Sequence, residues 1–190
     1  MFVTGVHELE NHLLHPDALA GCVLNTAGRT SVEIETRLRE QAEHAVWWMA
    51  CRSVLAEIRR TVFDGFPSHP GSERIRSLED ASRYICENSW YQALPPSVAT
   101  MATPSTIQDR LQHFHGIMAT ELARGDWRRD FSGKELFRNV RDWVYEGGGG
   151  SSSARDGDLA KAVGFWQRSN TAVPEEVLDL HASLRARAGL

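Results

Sequence analysis

The chain has 190 residues, of which 42% are hydrophobic and 24% charged, and a formal net charge of -4. Those proportions are ordinary for a globular protein and exclude intrinsic disorder, and the length suffices for a core without disulfide or metal staples. The small negative charge excludes a whole-molecule field that steers nucleic acid or an anionic membrane, so contact with either has to rest on a local patch.

Taken in order, the first helical pieces are expected around Val6 to Leu14 and Ala18 to Leu24, separated by Pro16. Thr30 followed by Glu33 is a capping box, and it predicts the start of a long helix from Ser31 to Phe63, a stretch without Gly or Pro. Ile34, Leu38, Ala45, Trp48, Leu55, Ile58 and Val62 recur along it at steps of three, four or seven, which lays down one apolar stripe, and Gly65 is the expected stop. At about 1.5 Å per residue this helix is roughly 50 Å long, the spine on which shorter helices pack. Ser77 with Asp80 opens a helix through Trp90 that Pro95 and Pro96 close; Thr103 with Pro104 opens another that stops at Gly125; Ser132 with Glu135 caps a third to about Glu146. A last helix starts at Pro174, with Glu175 and Glu176 in its first turn and Arg185 and Arg187 in its last, as the helix dipole favours.

Two stretches interrupt the helices. Asp64 to Glu73 holds two prolines and two glycines, and Gly147 to Gly157 opens with four glycines and three serines. No alternating run of apolar and polar residues is long enough for a strand. The expected architecture is therefore all-α, a multi-helix bundle around one long helix at about 31–63 with no significant sheet. It forms a single domain over 1–190, with a flexible Gly/Ser loop at 147–157 before a C-terminal helical segment at 158–190.

Cys22, Cys51 and Cys86 are widely spaced among apolar neighbours and read as small buried hydrophobes, which suits a reducing compartment. Met1 to Glu10 lacks a basic leader, and nowhere do eighteen apolar residues run together, so a cytoplasmic protein without a membrane span is expected. Lys134 and Lys161 are the only lysines among 21 basic residues.

Arg39 with His44, and Arg110 with His115, each place an arginine five positions before a histidine on a helix. That spacing is the pattern used by HEPN-type metal-independent ribonucleases, in which the arginine stabilises phosphate charge and the histidine moves the proton of the attacking hydroxyl. Counted over four to six residues between arginine and histidine, a window that adds Arg37 with His44, the chain's 19 arginines and 8 histidines produce about two such matches by chance, so the spacing alone assigns no family. His7, His12 and His15 cluster near the start, with His12 and His15 on one helical face, but they fall short of a zinc motif, and no metal or cofactor is expected. The glycine tract after Tyr145 lacks the lysine and serine or threonine of a phosphate loop and reads as a linker.

Between Arg124 and Tyr145, basic and aromatic residues interleave. Lys134, Arg138 and Arg141 share one helical face, with Arg128 and Arg129 upstream and Trp127 nearby, while Leu136, Phe137, Val140 and Val144 point the other way, into the core. The basic set is a candidate ridge for a nucleic-acid backbone. Against it, Asp126, Asp130, Glu135 and Asp142 lie in the same stretch, and Asp142 stands four residues from Arg138, the spacing of an intrahelical pair. Adjacent tryptophans at Trp47 and Trp48 cannot both centre one stripe, so Trp47 either packs under the loop from Asp64 to Glu73 or forms part of a protein interface. These signals favour a non-enzymatic helical adaptor or regulator that contacts a protein partner, a second copy of itself or a nucleic-acid backbone. The alternative is a nuclease of the Arg-x4-His type.

Overall fold

The computed structural model describes residues 9–61, 70–100, 102–144, 152–170 and 175–188. It is an all-α helical bundle, with no strand among the described residues. After a 3-10 turn at Leu9–Leu13, the helices are α1 (Pro16–Gly21), α2 (Ser31–Thr61), α3 (Leu78–Cys86), α4 (Ser89–Gln92), α5 (Pro96–Ala99), α6 (Pro104–Arg124), α7 (Trp127–Asp130), α8 (Gly133–Val144), α9 (Ser152–Asn170) and α10 (Glu175–Ala188). Among the described residues, none of these helices is long and apolar enough to cross a membrane.

Helix starts follow local chemistry. At α2 the Thr30 amide donates to Glu33 Oε2 at 2.8 Å and the Glu33 amide donates to Thr30 Oγ1 at 3.2 Å, the reciprocal box read from the sequence. These bonds to Thr30 hold the Glu33 carboxyl below its ordinary range. Ser77 accepts from the Asp80 amide at 3.1 Å, Thr103 from the Thr106 amide at 3.3 Å, and Ser132 from the Glu135 amide at 3.4 Å. α6 ends at Gly125, whose φ of 86° needs a residue without Cβ, and the amides of Gly125 and Asp126 close on the carbonyls of Leu122 and Glu121.

Several boundaries move. The first two helical pieces are separate, as expected, but the break falls at residues 14–15 and Pro16 itself opens α1, because its missing amide is one that the first turn leaves unbonded anyway. α3 stops at Cys86, and Asn88 begins a separate short turn, its side chain accepting from the Trp90 amide. α9 already begins at Ser152, taking in residues to Gly157 that composition assigns to a loop, since its apolar positions at Leu159 and Val163 bury and carry the turns before them into helix. Gly65, the expected stop of α2, and residues 147–151 lie outside the described residues.

Two compact units are present: Met1–Glu40 with Arg128–Leu190, and Gln41–Trp127. In the first, Leu14, Leu19, Ile34, Leu38, Phe131, Leu136, Phe137, Val140, Val144, Leu159 and Val163 are buried. Asn11 is buried with them, and its Nδ2 donates to the carbonyls of Arg128 at 2.6 Å and Phe131 at 2.8 Å, satisfying carbonyls at the end of α7. Gly133 packs so tightly here that a Cβ would come within 2.5 Å of the Asn11 backbone nitrogen. In the second unit, Val54, Leu55, Ile58, Ile75, Ala81, Ile85, Ile107 and Leu111 are buried. The single stripe expected on α2 widens there, because Ala45, Val46, Trp48, Met49, Ala50 and Cys51 are all buried and the middle of the helix is apolar on nearly every side.

Candidate functional site

The two Arg/His pairs do not converge. Arg39 and His44 are both exposed on α2, and five helical positions set them about 140° apart. On α6, Arg110 is held by Glu57, with Nε to Oε2 at 2.9 Å and a second bond from Nη2 to Oε1, and its guanidinium also lies over the Phe114 ring. The bond to Glu57 raises the Arg110 pKa above its ordinary value. His115 turns to a different partner, stacking on Trp47 with ring centroids 3.9 Å apart and planes at 26°. Burial there lowers its pKa. Trp47 thus packs on α6, and Trp48 meets the described end of the loop, donating from Nε1 to the Pro70 carbonyl at 2.6 Å; residues 64–69 of that loop lie outside the described residues. The reason is rotational: the 100° between neighbours sends only one of the two rings toward Pro70.

The four arginines of the basic ridge are each paired with a carboxylate. Arg128 pairs with Glu35, and burial lowers its pKa. Arg129 makes a two-pronged contact with Asp130 at 2.9 Å on each side, and Arg138 bonds Glu135 at 2.6 Å. Arg141 is buried, and it engages Asp142 through Nε at 2.9 Å and Nη2 at 3.0 Å. The expected Arg138–Asp142 pair is therefore replaced by two others, and Arg141 leaves the solvent-facing row that Lys134 and Arg138 occupy. A phosphate contact would have to displace these carboxylates, each of which already supplies the charge that the guanidinium needs.

Metal and thiol chemistry find no assembled site. Among the described residues no group of three His, Cys, Asp or Glu side chains converges. His12 ends a 3-10 turn while His15 precedes α1, so the two do not share one helix face, and His7 lies outside the described residues. Burial pushes the Cys51 thiol up to about 12, which keeps it protonated and inert.

What the structure brings together instead is a groove between the end of α1 and α9. It has a volume of about 420 Å³ and is lined by Gly21, Cys22, Val23, Lys161, Phe165 and Trp166 among others. The indole of Trp166 rests against Gly21, where a Cβ would fall 2.0 Å from Nε1, so glycine is what lets the ring lie on the α1 backbone. Two large apolar side chains at this groove stay in water: Val23 is 87% exposed and Phe165 64%. Cations stand on the same side, Lys161 in the lining and the Arg168 guanidinium 5.7 Å over the Phe165 ring. Spacings of four and three along α9 put Lys161, Phe165 and Arg168 on one face.

None of these groove residues carries a motif, and they are not among the candidates that the sequence suggests. A signal exists all the same. Leu159, Val163 and Trp166 recur at steps of four and three and mark the inward face, so the neighbouring Phe165 has to point away from it. Compared with protein-family models, curated proteins and solved structures, the chain matches none of them.

Proposed function

We propose that this protein works by binding, and that the groove between α1 and α9 takes an amphipathic protein segment with apolar anchors flanked by carboxylates. The observation that carries the reading is the pair Val23 and Phe165, large apolar side chains left in water beside a cleft of ligand-binding size, with Trp166 forming its wall. Covering the two side chains contributes on the order of 3 kcal/mol, roughly a hundredfold in affinity. Lys161 and Arg168 supply the sign of the partner: charges at the rim of an apolar groove select the complementary one and govern the encounter rate. Aromatic anchors inserted into such a groove are the usual centre of binding energy, with the rim adding specificity.

Nuclease chemistry and phosphate recognition receive less support, since Arg110, Arg128, Arg129, Arg138 and Arg141 each hold a carboxylate. The test is calorimetric titration of the full chain with two short helical peptides, both with leucine at every third or fourth position, one with glutamate between and one with lysine. The glutamate peptide binds and the lysine peptide does not, Phe165→Ser abolishes the interaction, and Lys161→Glu with Arg168→Glu inverts the preference. Equal binding of the two peptides, or no response to Phe165→Ser, refutes the proposal.

A further inference from the structure

We infer that the segment occupying this groove is helix α10 of a second copy of the same chain, so that two copies exchange their C-terminal helices. The inference rests on the groove reading above and names its occupant.

Helix α10 presents apolar side chains to solvent. The side chains at positions 178, 179 and 182–186 are exposed, including Leu178 at 53% and Leu184 at 55%, and among the described residues none from α10 lines the groove of its own chain. A helix of 14 residues is marginal by itself in water, where the nucleation cost is barely recovered below about 12–15 residues. Its exposed leucines call for an apolar surface. The groove presents the matching deficit, an exposed Val23 and Phe165.

Charge supplies the second argument and sets the direction. The leading half of α10 is acidic in sequence, with Glu175, Glu176 and Asp179, and its trailing half carries Arg185. α9 runs the opposite way, from an exposed Asp158 through Lys161 to Arg168. Laid antiparallel in a partner's groove with Leu178 level with Phe165, α10 sets Glu175 beside Arg168, Asp179 within about one turn of both Arg168 and Lys161, and Arg185 beside Asp158. A parallel arrangement puts like charges together at both ends. The exchange is reciprocal, as a two-fold interface requires: each copy gives one helix and receives one, so every favourable contact occurs twice and the assembly closes at two chains.

The measurement is sedimentation equilibrium of the full chain over a range of concentrations. Wild type sediments as a dimer of 21.3 kDa chains. Leu178→Ser with Leu184→Ser, and separately Phe165→Ser, weaken the dimer by at least about tenfold. All three positions are exposed, and an unchanged circular dichroism spectrum separates loss of the interface from loss of the fold. Lys161→Glu with Arg168→Glu also weakens it, and adding Glu175→Lys with Asp179→Lys to that variant restores it, a rescue that a purely structural effect does not produce. A wild-type chain that stays monomeric, or a dimer indifferent to both sets of substitutions, overturns the inference. If the chain is monomeric and the glutamate peptide still binds, only the exchange is wrong and the groove keeps another partner; if the peptide fails as well, both readings fall together.

Discussion

Replacing Asn11 probes the join that ties the N-terminal turn to α7 and the start of α8. Its Nδ2 reaches the carbonyls of Arg128 and Phe131 at 2.6 and 2.8 Å, and the residue is 6% exposed, so neither contact is readily exchanged for water. Leaving a buried carbonyl without its donor costs about 1–3 kcal/mol, so Asn11→Ala should lose about 2–5 kcal/mol, a large share of the 5–15 kcal/mol typical of a domain. Asn11→Asp keeps the shape and replaces the donor with an acceptor that faces two carbonyl oxygens, and at neutral pH it should cost more than alanine. Urea unfolding followed by tryptophan fluorescence supplies the comparison at equal m-values. A loss below about 0.5 kcal/mol for Asn11→Ala, the range of an indifferent surface change, refutes the reasoning. So does an aspartate variant as stable as the alanine one.

Three further outcomes are expected. Gly21→Ala drives the Trp166 indole off α1, because the added Cβ meets Nε1 at 2.0 Å, and should weaken peptide binding at the groove while red-shifting Trp166 emission. His115 has its pKa lowered by burial below the ordinary 6.5, so the unfolded chain takes up its proton first; stability is full above that value and declines as pH falls through it. His115→Phe removes that share of the decline in urea titrations at pH 5 and 8, and an identical pH dependence in the variant contradicts the assignment. Arg138→Ala should leave the salt slope of any DNA or RNA binding unchanged, since Arg138 already bonds Glu135; a slope reduced by about one revives the backbone-binding ridge.

That Arg110 and His115 do not converge has a simple physical origin. Helical spacing brings residues three or four apart onto one face and carries residues five apart away from each other, so Arg110 and His115 find separate partners in Glu57 and Trp47. Neither partner is visible from spacing, because Glu57 lies 53 positions from Arg110.

By itself the sequence determined the all-α class, the caps and the apolar faces. Thr30 with Glu33, Ser77 with Asp80, Thr103 with Thr106 and the glycine stop at Gly125 each close through bonds spanning only a few residues, and the burial of Leu136, Phe137, Val140 and Val144 follows from the pitch of α8. Tertiary structure alone decided that Arg128 takes Glu35, that Arg141 is buried, that Trp48 meets Pro70, and that Val23 and Phe165 border one groove. The division is physical. A cap or a helical face depends on a few neighbouring dihedral angles, whereas an ion pair between Glu35 and Arg128, or a cleft between residues 23 and 165, depends on how distant helices pack once all their apolar faces compete for cover.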